Sequence, residues 1–145
     1  MPSVEFHTGV PDLLDYACRL LRKAYRRGAT VWCLAPLPRL EALDRALWTF
    51  VEREFIPHVR WGAASALLRR TPIWLAPALP EAGVDREVVL NLGAELAVGS
   101  SGPARLIEVI GADADEVERG RRLWREYKAA GFEVVHHPFT AGPQA

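Results

Sequence analysis

Thr30-Val31-Trp32-Cys33-Leu34-Ala35 is apolar or β-branched at every position. A strand with one wet face alternates in polarity. A strand apolar on both faces is covered on both, which is the pattern of a strand inside a parallel sheet. Upstream of it lies a helical pattern. Asp12 is placed to cap that helix, and Asp15 makes its first turn acidic. Leu13, Leu14, Ala17, Leu20, Leu21, Ala24 and Tyr25 recur at helical spacing, and Gly28 supplies the stop. Val4–Thr8, before the helix, reads as a short strand. Downstream, Pro36 and Pro38 break the apolar strand, and Leu40–Phe50 is helical with Leu40, Leu43, Leu47 and Phe50 on one side. Glu52–Arg60 reads as a connector. Further strands are expected at Ile73–Ala76, Val88–Leu92, Leu106–Ile110 and Glu133–His137, with a second long helix over Asp113–Ala130 that Gly131 ends. Ala78–Arg86 and Gly99–Pro103 read as loops. Strands separated by helices predict a three-layer α/β/α fold, a mostly parallel sheet with helices on both faces.

Composition bounds the function. The chain has 145 residues, half of them hydrophobic and a quarter charged, with a formal net charge of +0. Sequence-independent binding to naked nucleic acid relies on excess Lys and Arg, so any anion binding must come from local clusters. Two such clusters exist, Arg19–Arg27 and Arg119–Lys128. Cys18 and Cys33 sit among apolar residues and read as buried reduced thiols. The N-terminus has no charged region followed by an apolar run, and no apolar stretch approaches the roughly 20 residues of a membrane span. The expected compartment is the cytoplasm.

Catalytic patterns are weak. Gly99-Ser100-Ser101-Gly102 is a small-residue loop, but it lacks the glycine-rich phosphate-binding spacings. It leaves one rival reading open, an α/β enzyme that handles nucleotides through that loop. Ser65, Ser100 and Ser101 are not in a nucleophile elbow. His136 and His137 are neighbours on a strand and point to opposite faces, so they cannot form one metal-ligand pair. No metal or other cofactor is expected.

The late helix carries the strongest surface signal. Arg121, Arg125 and Lys128 recur at i, i+4, i+7 and fall within about 60° of one another. Trp124 sits beside them, at the edge of an apolar arc read as Val117, Leu123, Trp124 and Tyr127. Glu118 and Glu126 fall further round and neutralise the stripe only partly. A cationic stripe with an aromatic edge suits a partner that offers carboxylates and an apolar anchor. Arg19, Arg22, Lys23, Arg26 and Arg27 form a second cationic face, which leaves direct DNA binding as a third reading. Trp48, Phe50, Phe55 and Ile56 cannot all enter one core, so an apolar rim for a protein partner is expected there.

The chain also resembles a family, the chi subunits of bacterial DNA polymerase III. The likeness runs from Ala17-Cys18 through Tyr25-Arg26-Arg27-Gly28, then Leu43-Asp44-Arg45-Ala46-Leu47-Trp48 and Phe55-Ile56-Pro57-His58. It continues in Leu90-Asn91-Leu92, Ile107-Glu108-Val109-Ile110, Gly120-Arg121 and Tyr127-Lys128-Ala129-Ala130-Gly131-Phe132. It implies one chi-like domain over residues 1–139, with 140–145 as a tail. It further implies a non-catalytic accessory protein of the clamp-loader assembly that joins the replisome to single-stranded DNA-binding protein and meets DNA only indirectly. Family members recognise that protein's acidic C-terminal tail, which ends in a hydrophobic pair and a free carboxylate. By position the tail-binding residues are Arg121, Trp124 and Arg125, with Lys128 one turn on. Trp124 stands where tyrosine is more usual. A second family surface, facing the psi subunit or a helicase, corresponds to Trp48 and Phe55.

Overall fold

The computed structural model describes residues 2–50, 54–80, 86–96 and 105–140. Seven strands form one sheet, in the order β3-β4-β2-β5-β6-β1-β7. They are β1 (Ser3–Val10), β2 (Val31–Leu34), β3 (His58–Arg60), β4 (Ile73–Ala76), β5 (Val88–Asn91), β6 (Arg105–Gly111) and β7 (Glu133–Pro138). Every pairing is parallel. The helices are α1 (Leu13–Arg26), α2 (Leu37–Thr49), α3 (Ser65–Arg70) and α4 (Ala114–Ala129).

The sheet separates two cores, as its strand periodicity requires. Val31 and Cys33 of β2 face one side, with Leu21 of α1, Leu40 and Leu43 of α2, and Val109 of β6. Trp32 and Leu34 face the other, with Leu68 of α3, Leu123 and Tyr127 of α4, and Phe6 of β1. All four β2 residues are buried, which is the condition read from its unbroken apolar run. Cys18 and Cys33 are buried free thiols in the first core.

The expected three-layer fold is present, and the sheet among the described residues is parallel throughout. Local chemistry moved several boundaries. Pro38 does not merely end the strand; it lies in the first turn of α2, where a missing N–H costs nothing and a fixed φ suits the helix. The helix therefore starts at Leu37 rather than Leu40. The expected connector of residues 52–60 contains the short edge strand β3. Helix α3 has six residues and no side-chain cap, so it carries no start signal. Residues 1, 51–53, 81–85, 97–104 and 141–145 lie outside the described residues. They include the expected 99–102 loop and most of the expected 140–145 tail.

Candidate partner-binding surface

Helix α4 is fixed at both ends by its own sequence. Asp113 caps it by accepting the Glu116 N–H at 2.9 Å. At the other end Gly131 takes a φ of 88°, a conformation that L side chains rarely adopt. The turn lets the Phe132 N–H reach Tyr127 O at 3.0 Å and the Gly131 N–H reach Lys128 O at 3.1 Å. That pair of bonds, with Phe132 packed on Tyr127 at 5.1 Å between ring centroids, is a Schellman closure. Gly28 closes α1 in the same way, with Ala29 N–H on Ala24 O at 3.0 Å.

The face that α4 buries differs from the expected arc. Glu116, Gly120, Leu123 and Tyr127 face the sheet, and Val117 is exposed. Gly120 is there because the helix lies close to β6. A Cβ at that position would sit 2.9 Å from Ile110 Cγ2. Glu116 is buried because it has work inside. Its Oε1 accepts the Gly111 N–H at 3.0 Å, and its Oε2 accepts from Arg119 Nε at 3.0 Å. Those donors hold its carboxyl below the ordinary value against the opposing effect of burial.

Beneath the helix lies Glu108 of β6, which is 0% exposed. It accepts from Tyr127 Oη at 2.8 Å and from Asn91 Nδ2 at 3.0 Å. Burial raises its carboxyl above the ordinary value, and the Tyr127 and Asn91 donors oppose that rise. This network has no sequence signature beyond a lone acid in an apolar strand.

The outer face of α4 presents the stripe. Arg121, Arg125 and Lys128 are exposed, and Trp124 is half-buried between them. Among the described residues none of these three cations forms an ion pair. The Lys128 ammonium lies 5.8 Å from the Trp124 ring centroid, within cation–π reach. Trp124 stands edge-on to buried Phe6 at 5.2 Å and to His136 of β7 at 5.4 Å. His136 is held in turn by Thr8 Oγ1, 2.6 Å from its Nε2. The surface thus runs from Val117 along the cations, past a pinned indole, to His136 on edge strand β7 and Thr8 on β1 beside it. His136 and Thr8 were missed because the β1–β7 pairing that joins them spans nearly the whole chain.

The cationic face of α1 is a different environment. Arg19 pairs with Asp15 at 2.9 Å, and Arg22 and Arg26 both pair with Glu54 at 2.9 Å. These partners answer much of the charge that direct DNA binding would use. The apolar group of Trp48, Phe50, Phe55 and Ile56 divides as its crowding demands. Ile56 is fully buried and Phe50 is half-buried. Trp48 and Phe55 are 61% and 54% exposed and stack on each other, with centroids 5.2 Å apart and planes 29° apart. Buried His58 supports the stack 5.2 Å below Trp48, with its Nε2 3.0 Å from Asp44 Oδ1. Among the described residues no helix is long and apolar enough to cross a membrane.

Comparisons with known proteins point to one family. The chain is 29% identical over 126 residues to the DNA polymerase III subunit chi of Pseudomonas aeruginosa, covering 86% of this chain and 84% of that protein. The family model for the DNA polymerase III chi subunit, HolC, matches residues 1–135. The chain belongs to the DNA polymerase III chi subunit family.

Proposed function

We propose that this protein is a non-catalytic accessory subunit that links the polymerase III assembly to single-stranded DNA-binding protein by gripping that protein's acidic C-terminal tail. The supporting observation is the set of cations on α4 that form no ion pair among the described residues, arranged around an indole that the fold holds half-exposed. Arg121 and Arg125 pair with tail carboxylates. The planar guanidinium fork suits a carboxylate better than an ammonium does. Trp124 packs against the terminal apolar residues, with Lys128 as a supporting charge and exposed Val117 widening the apolar floor. Exposed ion pairs contribute about 0–1 kcal/mol each, so binding weakens with salt and the aromatic contact carries much of the specificity. The stacked Trp48 and Phe55 are the second protein interface, for a psi subunit or a helicase.

Titration of a fluorescent peptide with an acidic stretch ending in Pro-Phe tests the tail site. Arg121→Ala combined with Trp124→Ala should weaken binding by roughly tenfold or more, about 1.4 kcal/mol. Affinity equal to wild type would place the site elsewhere.

A further inference from the structure

His136 and His137 do point to opposite faces of β7, but His137 is not left alone. In the β1–β7 register His7 lies directly across from it. Glu5, two residues before His7, falls on the same face of β1. The result is a carboxylate and two imidazoles meeting on the face of the sheet that α1 packs against, next to edge strand β7. Glu5 Oε1 is 3.6 Å from His7 Nε2 and 3.6 Å from His137 Nε2. The ligating atoms of all three residues lie within 4.8 Å of one another. They open into a cavity of about 260 Å³, also lined by Lys23, Arg27 and Arg105.

We infer that Glu5, His7 and His137 form a divalent transition-metal site, suited to zinc. Bonds of about 2.0–2.1 Å at tetrahedral angles place ligand atoms about 3.3 Å apart, close to both observed separations from Glu5. Two imidazoles and one carboxylate match the ligand chemistry of zinc rather than of calcium or magnesium. His7 supplies the second, independent sign. Its side chain is 10% exposed, and its Nε2 is buried without a hydrogen-bond partner. Buried polar atoms ordinarily have a partner. Its Nδ1 is 2.5 Å from Tyr16 Oη. A proton on Nδ1 donated to that oxygen leaves the Nε2 lone pair facing Glu5 and the cavity, the arrangement that orients a ligating histidine. Arg105 binds both Glu5 oxygens, with Nη2 to Oε1 at 2.9 Å, and fixes the carboxylate while opposing a second cation. His137, half-exposed on β7, completes the set. Three protein ligands leave the fourth position to water or to an anion attracted by Lys23 and Arg27. Bound metal would fasten the edge strand β7 to β1.

The test uses untagged, metal-free protein, with zinc chloride titrated against a chromophoric chelator and cobalt(II) as a spectroscopic probe. Wild type should take up one equivalent of zinc, gain thermal stability, and give the intense visible bands of tetrahedral cobalt. His137→Ala and Glu5→Gln, at positions that tolerate change better than His7, should each raise the zinc Kd roughly tenfold or more. His136→Ala, on the other face, should leave it unchanged. Absence of saturable zinc binding by wild type would overturn the assignment. So would wild-type affinity in both ligand variants, or a loss in His136→Ala as large as in His137→Ala.

Discussion

Removing one oxygen atom, in Tyr127→Phe, probes the support on which the α4 surface rests. Tyr127 and Glu108 are both fully buried, and the phenol donates to the carboxylate at 2.8 Å. A hydrogen bond to an ionised group is worth about 1.5–3 kcal/mol, and one between neutral groups about 0.5–1.5. Burial has raised the Glu108 pKa in the folded state, while Tyr127 and Asn91 lower it. A group that holds its proton more tightly when folded destabilises the native state as pH rises from the unfolded pKa through the folded one. Phenylalanine removes a lowering donor, so the folded pKa rises further and the penalty grows. The deficit of Tyr127→Phe should therefore be about 1.5–3 kcal/mol at pH 7.5 and smaller, near 1 kcal/mol, at pH 5. For a domain of this size the neutral-pH deficit corresponds to a Tm lowered by roughly 3–12 °C. Urea denaturation of both proteins at both pH values measures it, and taking the difference between variants cancels the other titrating groups. A deficit equal at both pH values, or larger at pH 5, would refute the reasoning.

Three further outcomes can be checked. Gly120→Ala gains about 1 kcal/mol of helix propensity but forces a Cβ to within 2.9 Å of Ile110, an overpacking that costs about 1–3 kcal/mol; thermal melting should show a lower Tm, and a raised one would mean that α4 lifts off β6 freely. Trp48→Ala and Phe55→Ala should each change stability by about 1 kcal/mol or less, and a double-mutant cycle should show coupling because the rings stack; strict additivity would contradict the stack in solution. Cys18 is pushed up to about 12 and Cys33 also upward, both by burial, so alkylation at pH 8 should proceed only as fast as the protein opens; rapid labelling of the native protein would contradict their burial.

Strong, local signals were legible in the sequence. Unbroken apolar runs such as Val31–Leu34 announced a doubly covered sheet, and Asp12, Gly28, Asp113 and Gly131 marked the ends of the two long helices. The exposed cations of α4 followed from spacing alone. What failed was short or non-local. His58–Arg60 has three residues and becomes a strand only because β4 offers an edge. Val117 looked like core because it is apolar at helical spacing. The pattern could not show that Glu116 enters instead, drawn by the Gly111 N–H and Arg119. His136 beside Trp124, and His137 beside His7 and Glu5, depend on the register between the first strand and the last.

That register also constrains how the protein comes into being. Among the described residues strand β1 pairs only with β6 and β7, about a hundred residues later in the chain. On a ribosome it emerges about a hundred residues ahead of both and waits for them. Val4 and Phe6, fully covered in the mature fold, spend that interval in water or against other molecules. Non-local parallel pairing is intrinsically slow to form and exposes sticky intermediates. Strand β1 thus stays exposed during synthesis until β6 and β7 arrive, and those two strands act as the latch that ends its exposure.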